Sequence, residues 1–458
     1  MLFRTERSEV KNLGNINKGK PVSIVAIGAG NRTNKYLEYV KQHPDKVKLV
    51  GVVELNDIRR HKVAERFGLD ASCCYSDYRE FFNQPKQADV VMVCTPENMH
   101  FEPTMMAIES GYHVLLEKPI AQTLEECLTI GKAARKKGVL VSVCHVLRYH
   151  PYFMKIKELV ESGELGHIIS INHRTSVGVD RAAHGFVRGI WRSERLSNPM
   201  LMSKCCHDID FLLWLTKTPC RKLTSFGSLR WFKAKNAPEG SAERCIDCGV
   251  ESTCPFSAVD LYQVRRDWIA NFDVPVGKTI DDVIETQLRE GLYGRCVYRC
   301  DNDVVDHQIV SMEMESEVTI NFSMDIFTLK DNRETHISLT EGEIDGDETR
   351  LRVRRFRGAE ETVYDFSDLS HQPFHAGADL AIIADFIDAI RTYSEKVGLS
   401  VNAALKEIIA PAIGLSRRRS NIPKNNLAEF CGALKDVDCS ELEATQSALS
   451  EIDAKMWK

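Results

Sequence analysis

Apolar and polar positions fall into two different rhythms along this chain. In the first third, short apolar runs alternate with mixed segments. Val22–Gly28 (VSIVAIG) is almost wholly apolar and ends on a glycine turn, the pattern of a parallel strand buried on both faces. Residues 34–42 read as a helix and 47–54 as a second strand. Helix and strand patterns then keep alternating through 57–67, 88–94, 103–110, 113–117, 124–137 and 139–144, which predicts βαβ units and a parallel sheet. The 124–137 helix is well punctuated, with Thr123 and Glu126 forming a capping box and Gly138 at its end.

The rhythm changes after Pro151. An amphipathic helix over 152–162 is followed by longer runs that alternate in period two: 168–177, 318–324, 334–339 and 350–355. Turns such as Glu341-Gly342 separate some of them, and an antiparallel sheet is the simplest reading. Residues 232–300 break the pattern as an irregular, cysteine-rich insertion. Helical periodicity returns at 376–394 and 402–416, and 427–458 reads as an acidic tail. The expected fold class is α/β: a doubly wound parallel sheet followed by an α+β domain with a large, mainly antiparallel sheet. The expected divisions are an extension at 1–20, a nucleotide-binding domain at 21–150, a substrate and oligomerisation domain at 151–425, and the tail at 426–458. A broad open sheet face is expected to be covered by another copy of the chain, giving a dimer or tetramer.

Composition narrows the classes. The 458 residues carry a formal charge of −5 without a large basic block, so a nucleic-acid partner is not expected. No apolar run approaches the ~18 residues of a membrane span, and Met1–Lys20 has no apolar leader core. The 15 cysteines then fit reduced thiols in the cytoplasm.

The candidate chemistry starts at the first turn, Gly28-Ala29-Gly30-Asn31-Arg32-Thr33. Two glycines between a strand and a helix allow a tight turn and close approach to a pyrophosphate, and the helix start offers free N–H groups to that anion. Thr33 stands where a third glycine is usual. Glu54 lies about 20 residues on, at the end of the second strand, where a carboxylate accepts from ribose hydroxyls and repels a 2′-phosphate. NAD is therefore the expected cofactor and NADP the disfavoured one, although Arg59 and Arg60 are close by.

Three further motifs, Val93-Cys94-Thr95-Pro96, Glu117-Lys118-Pro119 and His145–Pro151 (HVLRYHP), together with the turn, resemble the glucose–fructose oxidoreductase/inositol dehydrogenase family, Gfo/Idh/MocA, from about Val22 to Pro423. The resemblance implies a Rossmann domain and a hydride transfer to or from a ring carbon of a sugar, glycoside or cyclitol. It implies that Asn31, Arg32, Thr95, Pro96, Glu117 and Lys118 join Gly28, Gly30 and Glu54 around the cofactor. Lys118, at the carboxyl end of a strand, is suited to stabilise charge on the reacting oxygen. In Ser203-Lys204-Cys205-Cys206-His207-Asp208-Ile209-Asp210, His207 matches the family's general base. Many inositol dehydrogenases carry an Asp four residues before this His. Here Ser203 stands there, so Asp208 or Asp210 is the candidate to orient the imidazole. Lys204, Arg188, Trp191 and Arg192 are candidate substrate contacts, since an indole stacks on a sugar ring and guanidinium groups bind hydroxyls or carboxylates. His184 lies nearby and, with Lys204, is an alternative base.

Cys245-x2-Cys248-x5-Cys254, followed by Cys296 and Cys300, has spacing suited to a structural zinc, with Cys296 or Cys300 as fourth ligand. An iron–sulfur cluster is an open alternative, although its usual run of spacings is missing. Two other functional classes use the same residues. One is a glycosidase that oxidises a ring carbon with bound NAD, eliminates the aglycone and returns the hydride. The other is a dinucleotide-binding sensor without chemistry, against which the joint presence of Lys118 and His207 argues.

Overall fold

A computed structural model describes residues 20–358, 361–371 and 373–395. The sequence-predicted helix at 402–416 and the acidic tail lie outside the described residues, as does nearly all of the N-terminal extension. The nucleotide-binding half runs β1 (Val22–Ile27), α1 (Asn31–Gln42), β2 (Val47–Val53), α2 (Asp57–Phe67), β3 (Cys74–Tyr75), α3 (Tyr78–Phe82), β4 (Val90–Val93), α4 (Phe101–Glu109), β5 (His113–Leu116), α5 (Leu124–Lys137) and β6 (Val141–Val143). Its six parallel strands are ordered β3-β2-β1-β4-β5-β6, the doubly wound arrangement in which β1 and β4 diverge and open a crevice at their carboxyl ends. Unbroken apolar runs are needed because both faces are covered: all four residues of β4 and of β5 are buried. The Thr123–Glu126 capping box forms as expected and Gly138 closes α5 in the left-handed conformation.

The second half runs α6 (Pro151–Ser162), β7 (Ile168–Gly178), α7 (Val179–Ala182), α8 (Met200–Ser203), α9 (Cys206–Thr216), β8 (Cys220–Ser228), α10 (Ile280–Arg289), β9 (His307–Met314), β10 (Thr319–Thr328), β11 (Asn332–Leu339), β12 (Gly342–Gly346), β13 (Arg350–Arg355) and β14 (Thr362–Asp365), then α11 (Pro373–Ala376) and α12 (Ala378–Glu395). Its eight strands are ordered β14-β13-β12-β11-β7-β10-β9-β8. All pairs are antiparallel except the central β7–β10 pair. Strict alternation sorts the two faces. Ile320, Phe322 and Met324 of β10 are buried against α6 and α9 within the chain's own core, while Asn321 and Ser323 face outward. The outer face is largely polar along β7, β10 and β11.

One feature crosses the sequence-predicted divisions. Helix α12 packs on the nucleotide-binding half: Ala378, Ile382, Ile383, Phe386, Ile387 and Ile390 share a core with β1 and α1. The insertion fills the stretch between β8 and β9 with short turns of helix and α10, around a small core of Ala258, Leu261, Tyr262, Ile284 and Leu288. No helix among the described residues is long and apolar enough to cross a membrane.

Candidate active site

The glycine turn has the geometry a dinucleotide needs. Gly28 has φ +91°, and a Cβ there would lie 2.5 Å from the Cys94 carbonyl oxygen, so only glycine fits. Gly30 starts α1 without a side-chain cap, and a Cβ there would meet nothing within 4 Å. Its role is therefore to leave room outside the turn, where first-turn N–H groups remain open to an anion. Thr33, fully buried, replaces the third glycine by donating its hydroxyl to the Gly28 carbonyl at 2.6 Å. Glu54 accepts from Ala29 N at 2.7 Å and from Asn56 N at 2.9 Å. Its carboxylate thus sits beside the turn, as a ribose-binding acid must. Thr95 borders the same turn, and buried His100 ties the Thr95 carbonyl (3.1 Å) to the Pro119 carbonyl (2.7 Å).

The insertion reaches this edge. Asn271 accepts from Asn31 Nδ2 at 3.3 Å, and Asp273 accepts from Arg59 Nε at 2.8 Å and Asn56 Nδ2 at 3.3 Å. Arg59, the cation that left NADP open, is thereby paired with a carboxylate.

Arg32, expected around the cofactor, is engaged by carboxylates of the protein itself. Its guanidinium turns inward to Glu117 (2.6 Å) and to Asp379 of α12 (2.6 Å), and Tyr36 also donates to Glu117, at 2.5 Å. Burial opposes a charge on Glu117, but Arg32 and Lys118 outweigh it and hold the carboxyl below its usual range. Its other oxygen accepts from the Lys118 backbone N–H at 2.9 Å. Glu117 thus fixes the backbone that presents Lys118.

Lys118 is half-buried, and its ammonium donates to the Ser203 carbonyl. The Ser203 hydroxyl donates to Glu97 at 2.7 Å, and Ser197 (2.7 Å) and Asn198 (3.0 Å) donate to the same carboxylate oxygen. Ser203 therefore joins the two halves instead of orienting His207. Glu97 is a site residue that the sequence reading missed, although a carboxylate directly after Thr95-Pro96 was the available signal.

His207 opens α9 one turn beyond Ser203. Desolvation, then Lys118 and His145, drive its pKa well below the ordinary histidine value, so the imidazole is neutral near pH 7 and can accept a proton. Its Nδ1 is buried without a hydrogen-bond partner, an unmet requirement that a bound molecule can satisfy. Neither expected orienting acid touches it. Asp208 is bound by Arg333, by Thr175 at 2.8 Å and by His173 at 3.2 Å. Asp210 pairs with Arg148 at 2.8 Å and lies 4.0 Å from His145 Nδ1. His145 is the neighbour that does reach His207, ring edge to face, at a centroid separation of 5.7 Å. Lys204 shares this region: burial, then Arg181 and Arg333, push its ammonium down to about 7, with Asp331 3.8 Å away.

The remaining candidates are placed elsewhere. Arg188 is fully buried and bonded to the Arg295 (2.7 Å) and Phe256 (2.6 Å) carbonyls. Arg192 chelates Asp301 at 2.8 and 3.0 Å. Trp191 stacks on Phe186 with centroids 5.7 Å apart. Arg188 and Arg192 tie the insertion to the second domain, while Trp191 packs on Phe186 within the second domain's own core. His184 stacks between Tyr293 and Trp268 and meets the Tyr262 hydroxyl at 2.9 Å. Burial lowers it to about 4, and it belongs to the insertion's aromatic cluster. The expected single zinc finds no support, since no group of three or more His, Cys, Asp or Glu among the described residues is arranged to hold a metal ion.

Comparison with known proteins agrees with this architecture. Residues 22–145 match the family described as oxidoreductase family, NAD-binding Rossmann fold, and residues 153–254 match the GFO/IDH/MocA C-terminal domain. The chain belongs to the Gfo/Idh/MocA oxidoreductase family. It is 42% identical over 92 residues to the scyllo-inositol 2-dehydrogenase (NADP(+)) of Bacillus subtilis strain 168, covering 20% of this chain and 25% of that protein. It is 34% identical over 149 residues to the D-glucoside 3-dehydrogenase of Escherichia coli K12, covering 32% and 41%. The matched stretches thus span less than half of these two relatives. Among solved structures, an inositol dehydrogenase homolog complexed with NAD+ from Azotobacter vinelandii superposes with a TM-score of 0.57 at 16% identity, over 86% of this chain and 95% of the other, a likeness of fold.

Proposed function

We propose that this chain is an NAD-dependent dehydrogenase acting on a ring carbon of a sugar, glycoside or cyclitol. The observation that carries the reading is the meeting of Lys118, from the nucleotide-binding half, with the Ser203–His207 turn of the second domain. When bound, the nicotinamide accepts or returns the hydride. Gly28, Gly30 and the start of α1 would hold the pyrophosphate, and Glu54 the adenosine ribose.

The chain's own residues then have separate tasks. His207 takes the hydroxyl proton on its neutral imidazole. Lys118 has ammonium hydrogens beyond the one given to Ser203 and holds the same oxygen as charge develops. Glu117 and Ser203 position Lys118, and Glu97 holds the second domain's turn against the first. Glu54, with Asp273 neutralising Arg59, favours NAD over NADP. The inositol relative's name states NADP(+), so preference has to be measured on this chain.

The test is reduction of NAD and of NADP, screened over glycosides, free sugars and inositols. Reduction of NAD by at least one of these, more efficiently than of NADP, is expected. Inactivity across the panel, or preference for NADP, counts against the reading. A homo-oligomer is part of this proposal, supported by exposed Phe226 and Ile309, neighbours across β8 and β9. A monomer by light scattering at micromolar concentration would remove it.

A further inference from the structure

Four cysteines of the insertion line one small cavity: Cys245, Cys248 and Cys254 from one stretch, and Cys296 from its far end. Phe256, Val297, Tyr298, Pro238, Val250 and Arg188 line the same narrow gap. Every cysteine among the described residues is a free thiol, so no disulfide explains the gathering. Cys300 is not part of it, and its thiol turns back to the Cys296 carbonyl at 3.3 Å.

Arg188 supplies the second observation. It is fully buried, and its partners among the described residues are two carbonyls and the Cys245 sulfur at 3.5 Å. Its Nη1 is buried with no partner at all. A buried guanidinium is costly unless an anion faces it. Four thiolates around a metal centre give that anion, and N–H groups directed at cysteine sulfur are a common support for such centres.

We infer that this cavity holds an iron–sulfur cluster ligated by Cys245, Cys248, Cys254 and Cys296. The donors are not arranged to converge on one ion. A cluster does not require that, because it places its own irons and sulfides between the thiolates, which bind different irons. The apolar and aromatic lining suits a cluster held away from water. Cys254 is followed by Pro255, as the last cysteine of ferredoxin-type runs is. The insertion has little regular secondary structure and a core of a few side chains, so ligation would add to its folding free energy.

The test uses the full chain, purified without oxygen and then incubated with ferrous iron and sulfide. The expected result is iron and acid-labile sulfide in equal amounts, about two to four of each per chain, with broad visible absorption. Cys245→Ser and Cys296→Ser should each lose most of this signal. Cys300→Ser should retain it, which separates ligation from a general loss of thiols. Wild-type protein carrying one zinc and no sulfide would overturn the inference, as would wild-type protein carrying no metal. The wild-type measurement decides the matter even if a variant fails to fold.

Discussion

The glycine turn after β1 and the insertion between β8 and β9 are both irregular, and both border the cofactor edge, but they are held in opposite ways. The turn is fixed by its own neighbours in the sheet. Thr33 closes it onto Gly28 and Glu54 onto Ala29, while the Cys94 carbonyl leaves no room for a Cβ. The insertion is fixed by groups scattered along the chain: Arg188 bonds Phe256 and Arg295, Arg192 bonds Asp301, and Asp273 bonds Arg59. Local fixation leaves a compact signature in sequence. Distributed fixation does not, because the partners in the insertion are about 70 to 215 residues apart.

Changes in the catalytic turn should have the largest effects. His207→Ala removes the proposed base and should lower turnover by ~10²–10⁴, with NAD affinity nearly unchanged by calorimetry. Near-normal turnover would move the base to Lys204. The pH profile separates these two groups without a mutation. A base works only when neutral, so the rate falls as pH drops through its pKa. With His207 held below its ordinary value, the acid limb of kcat/KM should lie below about 6.5. With Lys204 as base it should lie near 7.

The two glycines sharpen the contrast next. Gly28→Ala forces a side chain into a φ of +91° against backbone, so thermal unfolding should show a stability loss of at least about 1–2 kcal/mol. Gly30→Val meets open space in the protein itself and should spare stability while weakening NAD binding. Equal effects of the two on unfolding would break the distinction between a fold glycine and a ligand glycine. The smallest effect belongs to the insertion. Asp273→Ala frees Arg59 from a partly exposed pair of the kind worth up to ~1 kcal/mol. NADP affinity should rise by less than about tenfold, and Arg59→Ala in the same background should cancel the gain. No change in NADP affinity would mean that the insertion does not tune the cofactor edge.

This contrast also explains what could be read from residues alone. The βαβ alternation, the capped α5 and the turn from Glu117 to Lys118 follow from local pattern, and all are present. The mainly antiparallel sheet was legible from period-two alternation, but its central parallel pair was not, since register is decided across the fold. Arg188, Trp191 and Arg192 suggested a sugar pocket because they are neighbours in sequence. Their actual partners come from the insertion and the core. Arg32 was placed around the cofactor from its position in the turn, and Asp379, which turns it inward, lies 347 residues away. Asp208 and Asp210 lie within a turn of His207 yet face other partners, because helix position sets direction. Glu97 follows Thr95-Pro96 directly in sequence, but its role depends on Ser197, Asn198 and Ser203, which the second domain brings to it.

The central claim is that Lys118 and His207 form one catalytic cleft around a bound NAD. Its most direct test is single-turnover NADH formation, using the substrate found in the panel, with NAD affinity measured on the same wild-type and His207→Ala samples. The account predicts a rate at least about 10²-fold slower in the variant at an unchanged NAD dissociation constant. Equal rates in the two proteins would contradict it.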